Sequence, residues 1–208
     1  MLDTLDRLVE RVHTLARYGV WFGGGLILLA AFVVSFDVTI RKVFNVSLGG
    51  ADEFSGFALA IGSAWAFGFA LLERGHVRID SIYTILPRPV CAALDILGLT
   101  VFGLFMFVMA WQGTGVFAES VRNSTVTLSA ISWPLRYPQF LWVAGLWWFV
   151  VIVVILWIRA VLTVVRGDFL RVQKQIGSKT VQEEVNEEMV RLERKRAQDK
   201  AASEGAKP

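Results

Sequence analysis

Cysteine, histidine and charge are scarce in this sequence. A single cysteine, Cys91, excludes a disulfide framework and a site built from several thiolates. Two histidines, His13 and His76, stand on separate segments, so this chain alone does not supply a bis-histidine haem site. Charged residues make up only 19% of the 208 residues, and the formal net charge is +3. The basic residues form no block with interleaved aromatics, so nucleic acid is not expected as a partner.

Apolar residues are abundant instead, at 55% of the chain, and the mean hydropathy is +0.54. A soluble domain of this size has too little interior for so many apolar side chains. Four stretches lack Asp, Glu, Lys, Arg and His, namely residues 18–36, 54–72, 96–118 and 137–158. Each is close to the roughly 20 residues that a membrane-spanning helix needs. The sequence therefore predicts an all-α integral membrane protein with four transmembrane helices in a domain over residues 18–165.

The two ends differ from the spans. In residues 1–17, apolar side chains recur at spacings of three and four, which predicts an amphipathic helix at the membrane interface that runs into the first span. Residues 166–208 are highly charged and predict a cytoplasmic helix with a frayed end.

Little in the spans could carry chemistry. They contain no ionisable residue and few polar ones, so neither a catalytic nor a metal site is expected, and a substrate site at mid-membrane is not expected either. The triplet Gly23–Gly25 is compatible with close helix packing or with an unwound segment. In the second span, Gly56, Ala60, Ala64 and Gly68 repeat every four residues and predict a smooth helix-packing groove, facing either another span or another protein.

Charged residues cluster at two corners. Asp37 and Arg41 are four residues apart and share a helix face, and Glu53 opens the second span. Between the second and third spans, Glu73 to Asp80 holds several ionisable groups with His76 among them. Exposed ion pairs contribute little to the free energy of folding. Two interpretations of these residues are therefore open: they are interfacial charges, or they are contacts that serve assembly.

Three segments together resemble the small membrane subunit of tripartite ATP-independent periplasmic (TRAP) transporters. The first runs Asp37-Val-Thr-Ile-Arg41-Lys-Val-Phe44-Asn45, like the family's Asp-Val-x-x-Arg-x-x-Phe-Asn. The second joins Asp52-Glu53 to Gly75-His76-Val77-Arg78-Ile79-Asp80, like the family's Gly-x-His-Val-x-Val-Asp. The third is Ser129-Ala-Ile-Ser-Trp-Pro134, followed by Tyr137 and Pro138, ahead of the last span.

The resemblance, over residues 18–160, implies a non-catalytic scaffold in the inner membrane of a bacterium. In such systems a periplasmic solute-binding protein delivers an organic acid, and a large permease subunit imports it with a sodium gradient. The small subunit forms a membrane heterodimer with the large subunit and offers part of the docking surface. Sodium ions are expected on the large subunit, and no cofactor is expected in this chain. The residues assigned to assembly are Asp37, Arg41, Phe44, Glu53, His76 and Asp80.

Two alternatives remain open at this point. The first is the small subunit of a tricarboxylate-type tripartite transporter, which also has four spans. The second is a membrane anchor of a redox complex, which predicts bound haem or quinone on purification. Paired intramembrane histidines, which would support that anchor, are missing from the spans.

The distribution of Lys and Arg predicts the orientation. Seventeen of the 21 lie in the N-terminal segment, the second loop and the C-terminal region, so both termini should be cytoplasmic. Reporter fusions after Arg166 should read as cytoplasmic, and fusions within residues 46–50 as periplasmic. The opposite reporter pattern would show that the termini are periplasmic and that the predicted orientation is wrong.

Overall fold

The computed structural model describes residues 2–73, 86–129 and 132–166, with short stretches at 189–190, 192–193 and 195–196. Its helices are α1 (Leu2–Phe44), α2 (Ala51–Leu72), α3 (Arg88–Arg122) and α4 (Arg136–Val165). All four are long and apolar enough to cross a membrane. The predicted all-α fold with four transmembrane helices is therefore confirmed. His76 and Asp80 lie outside the described residues, and so does nearly all of the predicted tail helix.

The N-terminal segment runs into the first span without a break, as expected from the sequence. It is the first part of α1, which runs for 43 residues and contains no proline. At 1.5 Å per residue α1 is about 65 Å long, roughly twice the hydrocarbon core. Val12 and Ala16 are buried in the core, so this apolar face packs on protein.

Two ion pairs tie the same segment to the neighbouring helices. The Asp6 carboxylate lies 2.7 Å from the guanidinium of Arg159 on α4. The imidazole Nε2 of His13 lies 2.7 Å from the carboxylate of Glu73, directly after α2. The beginning of α1 is thus attached to the ends of α2 and α4.

The helices form an open array. α1 packs along α2, α2 along α4, and α4 along α3, while α1 and α4 share a smaller contact. α4 is therefore central, and broad apolar faces of α1 and α3 are exposed. In a membrane these faces contact lipid or other proteins rather than water.

Glycine backbones bring α1 and α2 together near the middle of α2. A Cβ on Gly23 would lie 2.8 Å from both the Cα and the carbonyl oxygen of Gly62, so only glycine fits. Gly24 and Gly25 face open space, and α1 continues through all three glycines. The triplet therefore serves close packing at Gly23, and the helix is not unwound.

Tryptophan indoles connect α4 to its neighbours. Trp65 on α2 donates from Nε1 to the carbonyl of Leu141 at 3.0 Å. Trp65 fits beside α4 because Gly145 has no side chain, since a Cβ there would lie 2.9 Å from the indole. Towards α3, the indoles of Trp147 and Trp157 donate to threonine hydroxyls at 3.0 and 2.9 Å. Such bonds hold helices together where water is absent.

Candidate functional site

Asp37 is buried because it lies on the stripe of α1 that faces inward. The buried positions recur at intervals of three, four or seven residues, which keeps them on one helix face. They are Val12, Ala16, Gly19, Gly23, Ala30 and Asp37. Asp37 is only 1% exposed. A carboxylate in such a position is costly unless hydrogen bonds satisfy it.

The turn between α1 and α2 supplies those hydrogen bonds. Asp37 Oδ1 accepts the backbone N–H of Leu48 at 2.6 Å and the hydroxyl of Ser47 at 3.1 Å. Asp37 Oδ2 accepts from the guanidinium of Arg41. We call Asp37, Arg41, Asn45, Ser47 and Leu48 the α1–α2 corner. One carboxylate thus fixes how the chain turns from α1 into α2.

Asn45 ends α1 at this corner. Its φ of 55° is left-handed, a conformation that asparagine tolerates better than most residues. Its N–H donates to the Arg41 carbonyl at 3.2 Å, as expected directly after the last helical residue.

Of the other predicted assembly residues of this region, Arg41 contacts the carboxylate, whereas no contact with it is seen for Phe44 or Glu53. Arg41 bonds Asp37 but keeps a side chain that is 54% exposed. Phe44 is 70% exposed at the end of α1. Glu53 is half-buried in the first turn of α2. The structure therefore brings Asp37 and Arg41 together and leaves Phe44 on the surface.

The loop between α3 and α4 forms a short hairpin at the same end of the molecule. Thr127 donates its N–H to the carbonyl of Trp133 at 2.9 Å, and Leu135 donates to Thr125 at 3.0 Å. The Thr127 hydroxyl also accepts the N–H of Trp133 at 2.9 Å. These bonds fix Trp133 ahead of α4.

An apolar cavity of about 510 Å³ opens between α1, α2 and α4 at this end, and we call it the corner groove. Its lining includes residues of the second and third segments that carry the family resemblance, together with Leu48 of the α1–α2 corner. These lining residues are Leu48, Glu53, Ser129, Trp133, Tyr137 and Pro138. The residues described here bring no three His, Cys, Asp or Glu side chains together as metal ligands. The lining of the groove is mostly apolar and includes the carboxylate of Glu53.

The four small residues of α2 separate into two pairs. Ala64 and Gly68 are buried against α4, where a Cβ on Gly145 would lie 2.9 Å from the Ala64 methyl. Gly56 and Ala60 are exposed, and a Cβ on Gly56 would meet no atom within 4 Å. Among the residues that the structure describes, contacts within the chain use one half of the predicted packing groove.

Sequence reasoning missed two buried residues. Gly62 makes the closest backbone contact of α2 but lies off the four-residue repeat. Asp95 is fully buried, although it directly precedes the apolar stretch 96–118, a position typical of charges at the membrane interface. α3 starts at Arg88, so Asp95 lies two turns inside the helix. Its spacing of four from the buried Leu99 could have indicated this.

Together, the four apolar helices and their packing define a multi-pass helical membrane protein. A family model described as "Tripartite ATP-independent periplasmic transporters, DctQ component" matches residues 30–167, about two thirds of the chain. The chain belongs to this family, which confirms the resemblance read from its sequence. It is the small permease subunit of a TRAP transporter. No curated protein and no solved structure was found to match the chain.

Two acidic residues near the α1–α2 corner, Asp37 and Asp52, should contribute unequally to the stability of the protein. Asp37→Ala leaves the N–H of Leu48 and the Ser47 hydroxyl without their acceptor, so we expect the melting temperature in detergent to fall by several degrees. Asp52→Ala is the matched control because Asp52 is exposed. Equal melting temperatures for the two variants would show that the Asp37 carboxylate does not hold the turn.

Proposed function

We propose that this chain is the non-catalytic small subunit of a sodium-coupled importer of an organic acid. It holds the large permease subunit in a bacterial inner membrane as a heterodimer. The periplasmic solute-binding protein delivers the acid to this complex. Sodium and solute bind the large subunit, and this chain carries no cofactor of its own.

The main support for this proposal is the close packing of α1, α2 and α4 at the centre of the helix array. At mid-membrane the Gly23 backbone lies against Gly62, and Trp65 binds the Leu141 carbonyl. These contacts occupy the depth at which secondary transporters bind their substrates. A subunit packed in this way supports a scaffold better than a transport path. The family match favours it over the tricarboxylate-type subunit and the redox anchor.

The α1–α2 corner is the part that we assign to docking. With both termini in the cytoplasm, the corner faces the periplasm. Arg41 is held at one end by Asp37 and remains half-exposed, so it presents a fixed positive charge. Such charges steer protein encounters more than they add affinity. A binding protein with an acidic patch would find this charge beside the corner groove.

The scaffold role predicts that transport needs the complete system. Proteoliposomes that contain this chain alone should take up none of a panel of labelled carboxylates under a sodium gradient. Vesicles with the large subunit, this chain and the loaded binding protein should take up one or more of them. A potassium gradient of equal size is the control for sodium coupling.

Each outcome separates one part of the proposal. Sodium-driven uptake by this chain alone would contradict the scaffold role. Uptake by the large subunit and binding protein without this chain, at the rate of the full system, would contradict it as well. Equal uptake with sodium and potassium would contradict the sodium coupling and leave the scaffold role unaffected.

A further inference from the structure

The corner groove has three helices as its walls and floor. Leu26 and Val33 of α1 form one wall, and Leu141 of α4 forms the other. Phe57 and Ala58 of α2 lie between them. α1 and α4 are joined at their opposite ends by the Asp6–Arg159 ion pair, whereas here they stand apart. The groove is therefore an apolar opening parallel to the helices.

The groove ends near mid-membrane. Its deepest residues are Leu26, Ile61 and Leu141. Just beyond them, the Gly23–Gly62 contact and the indole of Trp65 close the space between the helices. From Phe54, where the charge-free span begins, to Ile61, α2 rises about 10 Å, whereas one leaflet of the hydrocarbon core is about 15 Å thick. The groove thus spans most of the depth of one lipid leaflet.

An acidic side chain lines the mouth of the groove, and a basic side chain packs on a tyrosine that lines it. Glu53 lines it from α2, and Tyr137 lines it from α4. The guanidinium of Arg136 lies 5.0 Å from the centre of the Tyr137 ring and donates to its hydroxyl at 3.1 Å. Trp133 is half-exposed at the same level, where aromatic rings favour lipid head groups. The lining acid Glu53, with Arg136 held on Tyr137 next to the groove, complements a head group that carries an ammonium and a phosphate.

We propose that the corner groove binds one phosphatidylethanolamine from the leaflet at the α1–α2 end. An acyl chain fills the space above Ile61, the phosphate faces Arg136, and the ammonium faces Glu53. A spanning helix of another protein fits less well, because the Gly23–Gly62 contact stops the groove halfway. This inference goes beyond the proposed function and does not depend on it.

Native mass spectrometry of the purified full chain tests the proposal. After detergent washing and titration with phosphatidylethanolamine, we expect one tightly bound lipid. Ala58→Trp fills the floor of the groove and should weaken this binding by about tenfold or more, since each displaced methylene loses its apolar contact. Leu59→Trp is the matched control, because Leu59 is 59% exposed on another face of α2. Equal binding by both variants would overturn the proposal.

The head-group contact has its own test. Arg136→Gln should reduce the preference for phosphatidylethanolamine over diacylglycerol, which carries the same acyl chains without phosphate. An unchanged preference would overturn the assignment of the phosphate to Arg136.

A measurement on the unaltered chain keeps the test independent of variants that fail to fold. A phosphatidylethanolamine with a diazirine at the end of one acyl chain should label peptides that contain Leu26, Ile61 or Leu141. Labelling spread evenly over exposed faces, such as Leu104 of α3, would overturn the proposal. Loss of the labelling in the complex, with these peptides cross-linked to the large subunit instead, would show that protein occupies the groove.

Discussion

The contact between the Gly23 and Gly62 backbones is the constraint on which the rest of the structure depends. Lipid provides no hydrophobic drive for helix association, so close packing and interhelical hydrogen bonds must hold the spans together. Trp65 extends this contact to α4, where the missing side chain of Gly145 leaves room for its indole. The positions of α1, α2 and α4 near mid-membrane follow from these few residues.

The shape of the outer surfaces follows from the same contact. Because α1 and α2 touch at Gly23, Asp37 falls on the stripe that faces inward, four helical turns further along α1. Its carboxylate then needs donors, and the turn after Asn45 supplies them. Above the Gly23–Gly62 contact, α1 and α4 stand apart and leave the corner groove open. One packing contact thus places both the α1–α2 corner and the groove.

Much of the fold could be predicted from the sequence, because apolar length alone identifies a spanning helix. Four charge-free stretches were enough for the four helices, and motifs in the right order were enough for the family. The residues at which the helices begin and end were harder to predict. Residues 1–17 differ in composition from the first span, but no residue there ends a helix, and both belong to the continuous helix α1. The apolar stretch alone therefore did not give the length of α1.

The choice of packing glycines could not be predicted in the same way. The repeat from Gly56 to Gly68 is regular, but its first half is exposed while Gly62 is buried. Which small residue of α2 packs against a neighbouring helix depends on where α1 and α4 cross α2. All three helices together determine these crossing points. Asp37 shows the same limit. Its pairing with Arg41 follows from the spacing, whereas the bond to the Leu48 N–H depends on the path of the turn.

The melting temperatures of Gly23→Ala and Gly24→Ala in the full chain test this account most directly. Both changes add one methyl group and gain about 1 kcal/mol of helix propensity in a helix interior. At Gly23 the methyl group would lie 2.8 Å from the Gly62 backbone, whereas at Gly24 it would meet no atom within 4 Å. We expect Gly23→Ala to lower the melting temperature by several degrees and to reduce co-purification of the large subunit, with Gly24→Ala unchanged or more stable. Equal melting temperatures and equal co-purification would contradict the central role of the Gly23–Gly62 contact.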